Sequence, residues 1–242
     1  IRDVNYSSNI NLYLYQENAV KAVLERRNGI LVAPCGSGKT NIAVNYAFEL
    51  KKMGLDVVIA DLDIVNPYFR TKDSAADLEA AGIELLSSEF AGTNVDFPAL
   101  PGSFYSLTDT KTKYGVYDIG GDDRGAFALG RYRDAILEEN NYEFLFVINK
   151  FRPLSSTSAL TIGIMDEIES ACKMKFTGIV NNSNLGELTT ADDVLGSVAY
   201  ADEVSKLSGI PVVFTTVMES LEKELSDKIP NLKTLKLQEK IT

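Results

Sequence analysis

Ala33-Pro34-Cys35-Gly36-Ser37-Gly38-Lys39-Thr40 lies between the apolar run Ile30-Leu31-Val32-Ala33 and a helical pattern opening at Lys39, and the fold turns on it. The order is that of a Walker A loop with Ala33 in the place of the first glycine. Gly36 and Gly38 let the main chain bend until successive N–H groups face one point, where phosphate oxygens are held. Lys39 brings a positive charge to the outer phosphates, the hydroxyl of Thr40 suits Mg²⁺, and the helix adds its positive N-terminal end. The expected phosphate cradle runs from Pro34, Cys35, Gly36, Ser37 and Gly38 to Lys39, Thr40 and Asn41. A chance glycine-serine turn is the bland alternative; a buried strand before it and an amphipathic helix after it argue against that.

Working outward, the helix is expected over about 39–53, with Ile42, Ala43, Tyr46, Ala47 and Leu50 on one face and Gly54 as its stop. Strands are expected at Val57–Ala60, Ile83–Leu86, Gly115–Tyr117, Phe144–Ile148 and Gly178–Val180, with Val212–Phe214 as the last. Helical patterns lie at about 74–81, 130–137, 158–171 and 198–207, and a short helix is expected from Tyr15 to Asn28. The Pro-, Gly- and Ser-rich stretch 90–112 reads as an irregular excursion. Continuous apolar strands separated by helices predict an α/β fold: a mostly parallel central sheet with helices on both faces, of P-loop NTPase type. A single domain over 1–242 is expected, with 1–28 as a discordant N-terminal helical segment.

Carboxylates belong at the C-terminal strand ends beside such a loop. Asp61 and Asp63 follow one strand, and Asp118 follows another in Asp118-Ile119-Gly120-Gly121. The Asp-x-x-Gly arrangement would let Asp118 hold a metal-bound water while the Gly121 N–H senses a γ-phosphate. Aspartates also cap strands and helices, and Asp122 and Asp123 read better as solvated loop acids. Lys39, Asp61, Asp63 and Asp118 are the candidate catalytic groups; Thr40, Asp63 and Asp118 are the candidate Mg²⁺ ligands.

Composition narrows the chemistry. With no histidine, triads, histidine-ligated zinc sites and histidine phosphorelays are excluded. Cys35 and Cys172 are too few for a disulfide framework. Cys35 reads as a small loop side chain rather than a reactive thiol. A net charge of −10 disfavours nucleic acid and anionic membrane as main partners. No signal peptide and no apolar run of ~20 residues appears, so the expected compartment is the cytoplasm. The chain opens at Ile1, which suggests a trimmed or engineered origin.

The segments Gly36-Ser37-Gly38-Lys39-Thr40-Asn41-Ile42-Ala43-Val44-Asn45, Asp61-Leu62-Asp63-Ile64-Val65-Asn66-Pro67-Tyr68-Phe69-Arg70 and Asp118-Ile119-Gly120-Gly121-Asp122-Asp123-Arg124-Gly125 carry a resemblance. With Asn149–Pro153 and Gly178–Gly186, they make residues 36–225 similar to the deviant-Walker ATPases of the MinD/ParA type, within the SIMIBI class of P-loop proteins. The resemblance implies Mg²⁺ and ATP as ligands, Asp61 or Asp63 in switch I, and Asp118 as the Walker B acid. It implies that Asn181 or Asn182 reads the adenine edge and that the backbone near Thr215-Thr216 lines the base. It further implies a protein partner or homodimer. Relatives carry a signature lysine near the start of the loop; Pro34 stands there, which puts a two-protomer ATP sandwich in doubt. Asn149-Lys150-Phe151-Arg152 does not complete the guanine-reading Asn-Lys-x-Asp, and the end of the chain has no amphipathic membrane helix.

Residues 12–40, by contrast, resemble the start of a superfamily 2 helicase, in which a glutamine upstream of the loop, here Gln16, reads adenine. A chimera joined at the shared Gly-Ser-Gly-Lys-Thr and chance convergence both account for it. The expected function is a weak or partner-stimulated ATPase acting as a nucleotide-dependent switch. Its rivals are a non-catalytic ATP-binding scaffold and a nucleic-acid-dependent motor, against which the missing Asp-Glu box and the acidic charge both count.

Overall fold

The structure, a computed structural model, describes residues 28–32, 38–62, 71–87, 113–121, 123–130 and 132–235. Eight strands, β1 Asn28–Val32, β2 Val57–Leu62, β3 Glu84–Ser87, β4 Tyr114–Ile119, β5 Tyr142–Ile148, β6 Gly178–Asn181, β7 Val212–Met218 and β8 Leu232–Leu235, form one sheet in the order β3-β2-β4-β1-β5-β6-β7-β8. Every pairing is parallel. From β1 the chain moves one way across the sheet to β2, whereas β4 leads the other way to β5. That reversal beside β1 puts the loop after β1 at a topological switch point, where open parallel sheets bind ligands.

Among the described residues, seven α-helices cover the sheet: α1 Lys39–Lys52, α2 Ala75–Ala80, α3 Asp123–Gly130, α4 Arg133–Glu139, α5 Ser158–Cys172, α6 Ala191–Ser208 and α7 Glu219–Leu225. Alternation along the strands sorts their side chains between two cores. Val57, Ile59, Val116, Leu145, Val147, Val180 and Phe214 pack under α1 with Ile42, Ala43, Ala47 and Leu50. Val58, Ala60, Leu62, Tyr117, Ile119, Phe144, Phe146 and Ile179 face the opposite layer, where α3, α4, α5 and α6 contribute Leu129, Ile136, Met165 and Val204.

The strands and α1 lie where the apolar runs place them, and four expectations need correction. The helix expected at 130–137 is α4, which starts at Arg133, and a further helix, α3, precedes it. The glycine-rich stretch after Asp118 reads as loop, but it turns into α3 at once because Gly125 lies directly on Gly120: a Cβ there would be 2.3 Å from the Gly120 carbonyl oxygen. Helix 198–207 begins earlier, at Ala191, because Thr190 and Asp193 form a reciprocal capping box. Nor is β7 the last strand. Leu232-Lys233-Thr234-Leu235 pairs beside it as an edge strand, its side chains only half-buried, so it lacks the continuous apolar run of an interior strand. The expected helix at 15–28, the excursion at 90–112 and the discordant segment 1–28 lie, apart from Asn28, outside the described residues.

Candidate functional site

Gly38 opens the site. Its φ of 82° is left-handed, and it precedes α1, whose first-turn N–H groups get no side-chain cap from a glycine. Lys39 and Thr40 follow as the first helical residues, and both are buried, with relative exposures of 3% and 4%. A lysine almost fully withdrawn from water needs an anionic neighbour. It has one: Lys39 Nζ stands 4.0 Å from Oδ1 of Asp118, itself wholly buried.

Register and pleat bring the second carboxylate alongside. Asp61 pairs with Asp118 across β2 and β4, and Asp118 pairs with Leu31 of β1. Asp61 lies two residues after Ile59, and Asp118 two after Val116, both of the core under α1, so both carboxylates face the α1 side. Asp118 beside Lys39, with Asp61 level with it on β2 and Thr40 next to Lys39 in the chain, offers oxygens of the kind that suit a hard cation. No group of three or more His, Cys, Asp or Glu side chains gathers among the described residues. A divalent ion here would therefore have one or two carboxylates and a hydroxyl from the protein and draw its remaining oxygens elsewhere, as Mg²⁺ on a triphosphate does.

Beyond the loop, alternation separates residues that stand together in sequence. Asn181 turns toward α6, where its Nδ2 donates to Ser197 Oγ at 2.9 Å and its Oδ1 accepts from Ser183 Oγ at 2.7 Å. Thr215, paired with Asn181, shares that face. Asn182 turns the other way: a Cβ on Gly38 would lie 2.5 Å from its Nδ2. Its Oδ1 accepts from Thr216 Oγ1 at 2.5 Å, which sets the orientation of the amide. The structure thus brings Lys39, Thr40, Asp61, Asp118 and Asn182 to the loop side and leaves Asn181 and Thr215 on the α6 side. Asn41 accepts from Asn45 Nδ2 through its backbone oxygen at 2.8 Å and through Oδ1 at 2.9 Å. Gly121 lies half-buried just beyond β4. Gln16, Pro34, Cys35, Gly36, Ser37 and Asp63 lie outside the described residues.

Two further parts escaped the sequence reading. Thr71, wholly buried, donates from Oγ1 to Oδ2 of Asp118 at 3.1 Å across the fold. Its only signal was a hydroxyl directly after the Asp61–Arg70 segment. Asn149 joins the loops after β5 and β6: its Nδ2 donates to Asn184 O at 3.1 Å, and its Oδ1 accepts from the N–H groups of Phe151 and Asn184 at 3.0 and 3.3 Å. That amide is committed to bracing loops rather than to a base.

The fold has known counterparts. Residues 34–209 match the CobQ/CobB/MinD/ParA nucleotide binding domain. FtsY, the cell division protein of Thermotoga maritima, superposes with a TM-score of 0.55 at 17% identity, over 85% of this chain and 70% of that one. Chloroplast FtsY from Physcomitrella patens gives 0.55 at 18% identity, over 84% of this chain and 66% of that one. FtsY from Mycoplasma mycoides gives 0.51 at 16% identity, and the chain spans 60% of that protein's length while 79% of this chain is covered. At such identities the likeness is one of fold. No curated protein matches the chain.

Proposed function

This chain belongs to the CobQ/CobB/MinD/ParA nucleotide-binding domain family, with a MinD/ParA-like deviant-Walker P-loop fold, and from that premise we propose that it binds Mg-ATP and hydrolyses it slowly or on contact with a partner. The observation that carries the reading is the buried Lys39–Asp118 pair directly beneath the first turn of α1. Phosphate oxygens would meet the N–H groups of that turn and the Lys39 ammonium. Thr40, Asp118 and Asp63 would hold Mg²⁺, whose contribution is to neutralise charge on the phosphates. Asp61, level with Asp118, would order water beside the γ-phosphate, and Gly121 would meet the γ-phosphate through its N–H. The loop residues Pro34, Cys35, Gly36 and Ser37 would complete the cradle.

Adenine is preferred over guanine because Asn149, at the head of the incomplete guanine motif, is already used between two loops. Asn182 is better placed than Asn181 to meet the ligand, since it alone of the two stands against Gly38. As a switch, the protein would order its Asp61–Arg70 and Asp118–Arg124 segments around the γ-phosphate and release them on hydrolysis, a change that a protein partner would read. A second reading, nucleotide holding without turnover, is favoured by one observation: Pro34 occupies the place of the signature lysine.

Calorimetry with ATP, ADP and GTP in Mg²⁺, on the native chain and Lys39→Ala, tests the binding. ATP should bind the native chain, and Lys39→Ala should weaken it at least about a hundredfold, as loss of a buried charge-assisted contact does. Equal binding by Lys39→Ala would overturn the site. Phosphate release that Asp118→Ala leaves unchanged would leave only the non-catalytic reading. Native mass measurement with and without ATP decides whether nucleotide drives pairing.

A further inference from the structure

Asp118 is held from two sides. Lys39 Nζ stands 4.0 Å from Oδ1, while Oδ2 accepts a hydrogen bond from Thr71 Oγ1 at 3.1 Å. Thr71 opens the 3-10 turn Thr71–Ser74, is wholly buried, and reaches a carboxylate 47 residues away in sequence. A buried threonine commonly satisfies its hydroxyl on a carbonyl within its own element. This one is spent on the acid that the proposed site most depends on.

We propose that Thr71 is a positioning residue for the metal–nucleotide site: its hydroxyl locks the rotation of the Asp118 carboxylate so that Oδ1 stays on the side of Lys39 and the phosphate loop. The inference rests on the Mg-nucleotide reading above and adds to it a residue that touches neither nucleotide nor metal. A carboxylate that turns freely about its last bond presents either oxygen, and ordering it costs conformational entropy each time a cation is bound. With Oδ2 already engaged, that cost is met in folding. Thr71 also follows Arg70 directly, so the chain just after the Asp61–Arg70 segment is tied to Asp118. A shift of that segment would reach the carboxylate through one hydrogen bond.

The test is a Mg²⁺ titration of ATP binding, followed by calorimetry, on the native chain, Thr71→Val and Thr71→Ser. Valine keeps the shape and removes the donor; serine keeps the donor and loses a methyl. Thr71→Val should raise the Mg²⁺ concentration for half-maximal binding about tenfold, the size expected for one hydrogen bond to a charged group. Its affinity for ATP without metal should stay within about twofold, and Thr71→Ser should titrate like the native chain. Should the valine variant not fold, Thr71→Ser against Thr71→Ala repeats the comparison. A Thr71→Val midpoint equal to or below the native value overturns the proposal, as does a serine variant shifted as far as valine, which would make the role one of packing. A native chain that binds no Mg-ATP removes the underlying reading as well, a result distinct from normal binding that ignores Thr71.

Discussion

The amide of Asn182 fills the space that a side chain on Gly38 would need, with its Nδ2 only 2.5 Å from where a Cβ would stand. Asn182, just beyond β6, thereby closes the space beside Gly38, and Thr216 on β7 holds its amide in orientation. The glycine is thus required twice, once for its left-handed φ of 82° and once for space.

Gly38→Ala should therefore lose about 1–2 kcal/mol to backbone strain alone, and more from the collision. In an Asn182→Ala background the collision disappears and only the strain remains, so the two substitutions should be non-additive. Urea denaturation of the two single variants and the double variant reads the difference. Simple additivity would mean that Asn182 does not brace Gly38.

Gly125→Ala should be the more damaging glycine substitution in stability. The nearest atoms to the new methyl are the Gly120 carbonyl oxygen at 2.3 Å and carbon at 2.8 Å, all main chain, which cannot step aside as a side-chain tip does. Overpacking of this kind costs about 1–3 kcal/mol. Gly120 lies two residues after Asp118, so ATP affinity measured by calorimetry should fall together with the unfolding midpoint.

Asn149→Ala removes one donor and one doubly used acceptor between the β5 and β6 loops, and should cost about 1–2 kcal/mol by leaving part-buried backbone groups unpaired. The ratio of ATP to GTP affinity should not change, because this amide is occupied within the protein. A changed ratio in competition binding would show that Asn149 reads the base.

The α6 cap carries a pH signature. The Thr190 hydroxyl, and then its backbone N–H, hold the Asp193 carboxyl below the usual carboxylate range. A depressed folded value stabilises above the ordinary carboxylate pKa of about 4 and is lost as pH falls through the lower folded value. Thr190→Val should melt below the native chain at pH 7, and the gap should narrow below about pH 4. A gap independent of pH in thermal unfolding would take the ionised Asp193 out of the cap.

Much of this fold was legible from local pattern. Val57–Ala60 and Phe144–Ile148 are continuous apolar runs because both faces of a parallel sheet are covered, and Ile42, Ala43, Ala47 and Leu50 keep helical spacing because α1 buries one stripe. The loop chemistry around Lys39 depends on neighbours in the chain, so residue order alone exposes it. Strand β8 was harder to see, since half-buried Leu232 and Leu235 flank two polar residues at the sheet edge and show neither a buried run nor alternation.

By itself, then, the sequence determined what is local: a P-loop between strand and helix, acids at the neighbouring strand ends, and an α/β sheet. Tertiary structure decided what depends on direction and distance. It turned Asn182 toward Gly38 and Asn181 toward Ser197, because adjacent strand residues point to opposite faces. It also set Thr71 on Asp118 and Gly125 on Gly120, through close approaches that exist only once β4 lies beside β2 and α3 folds back on the end of β4.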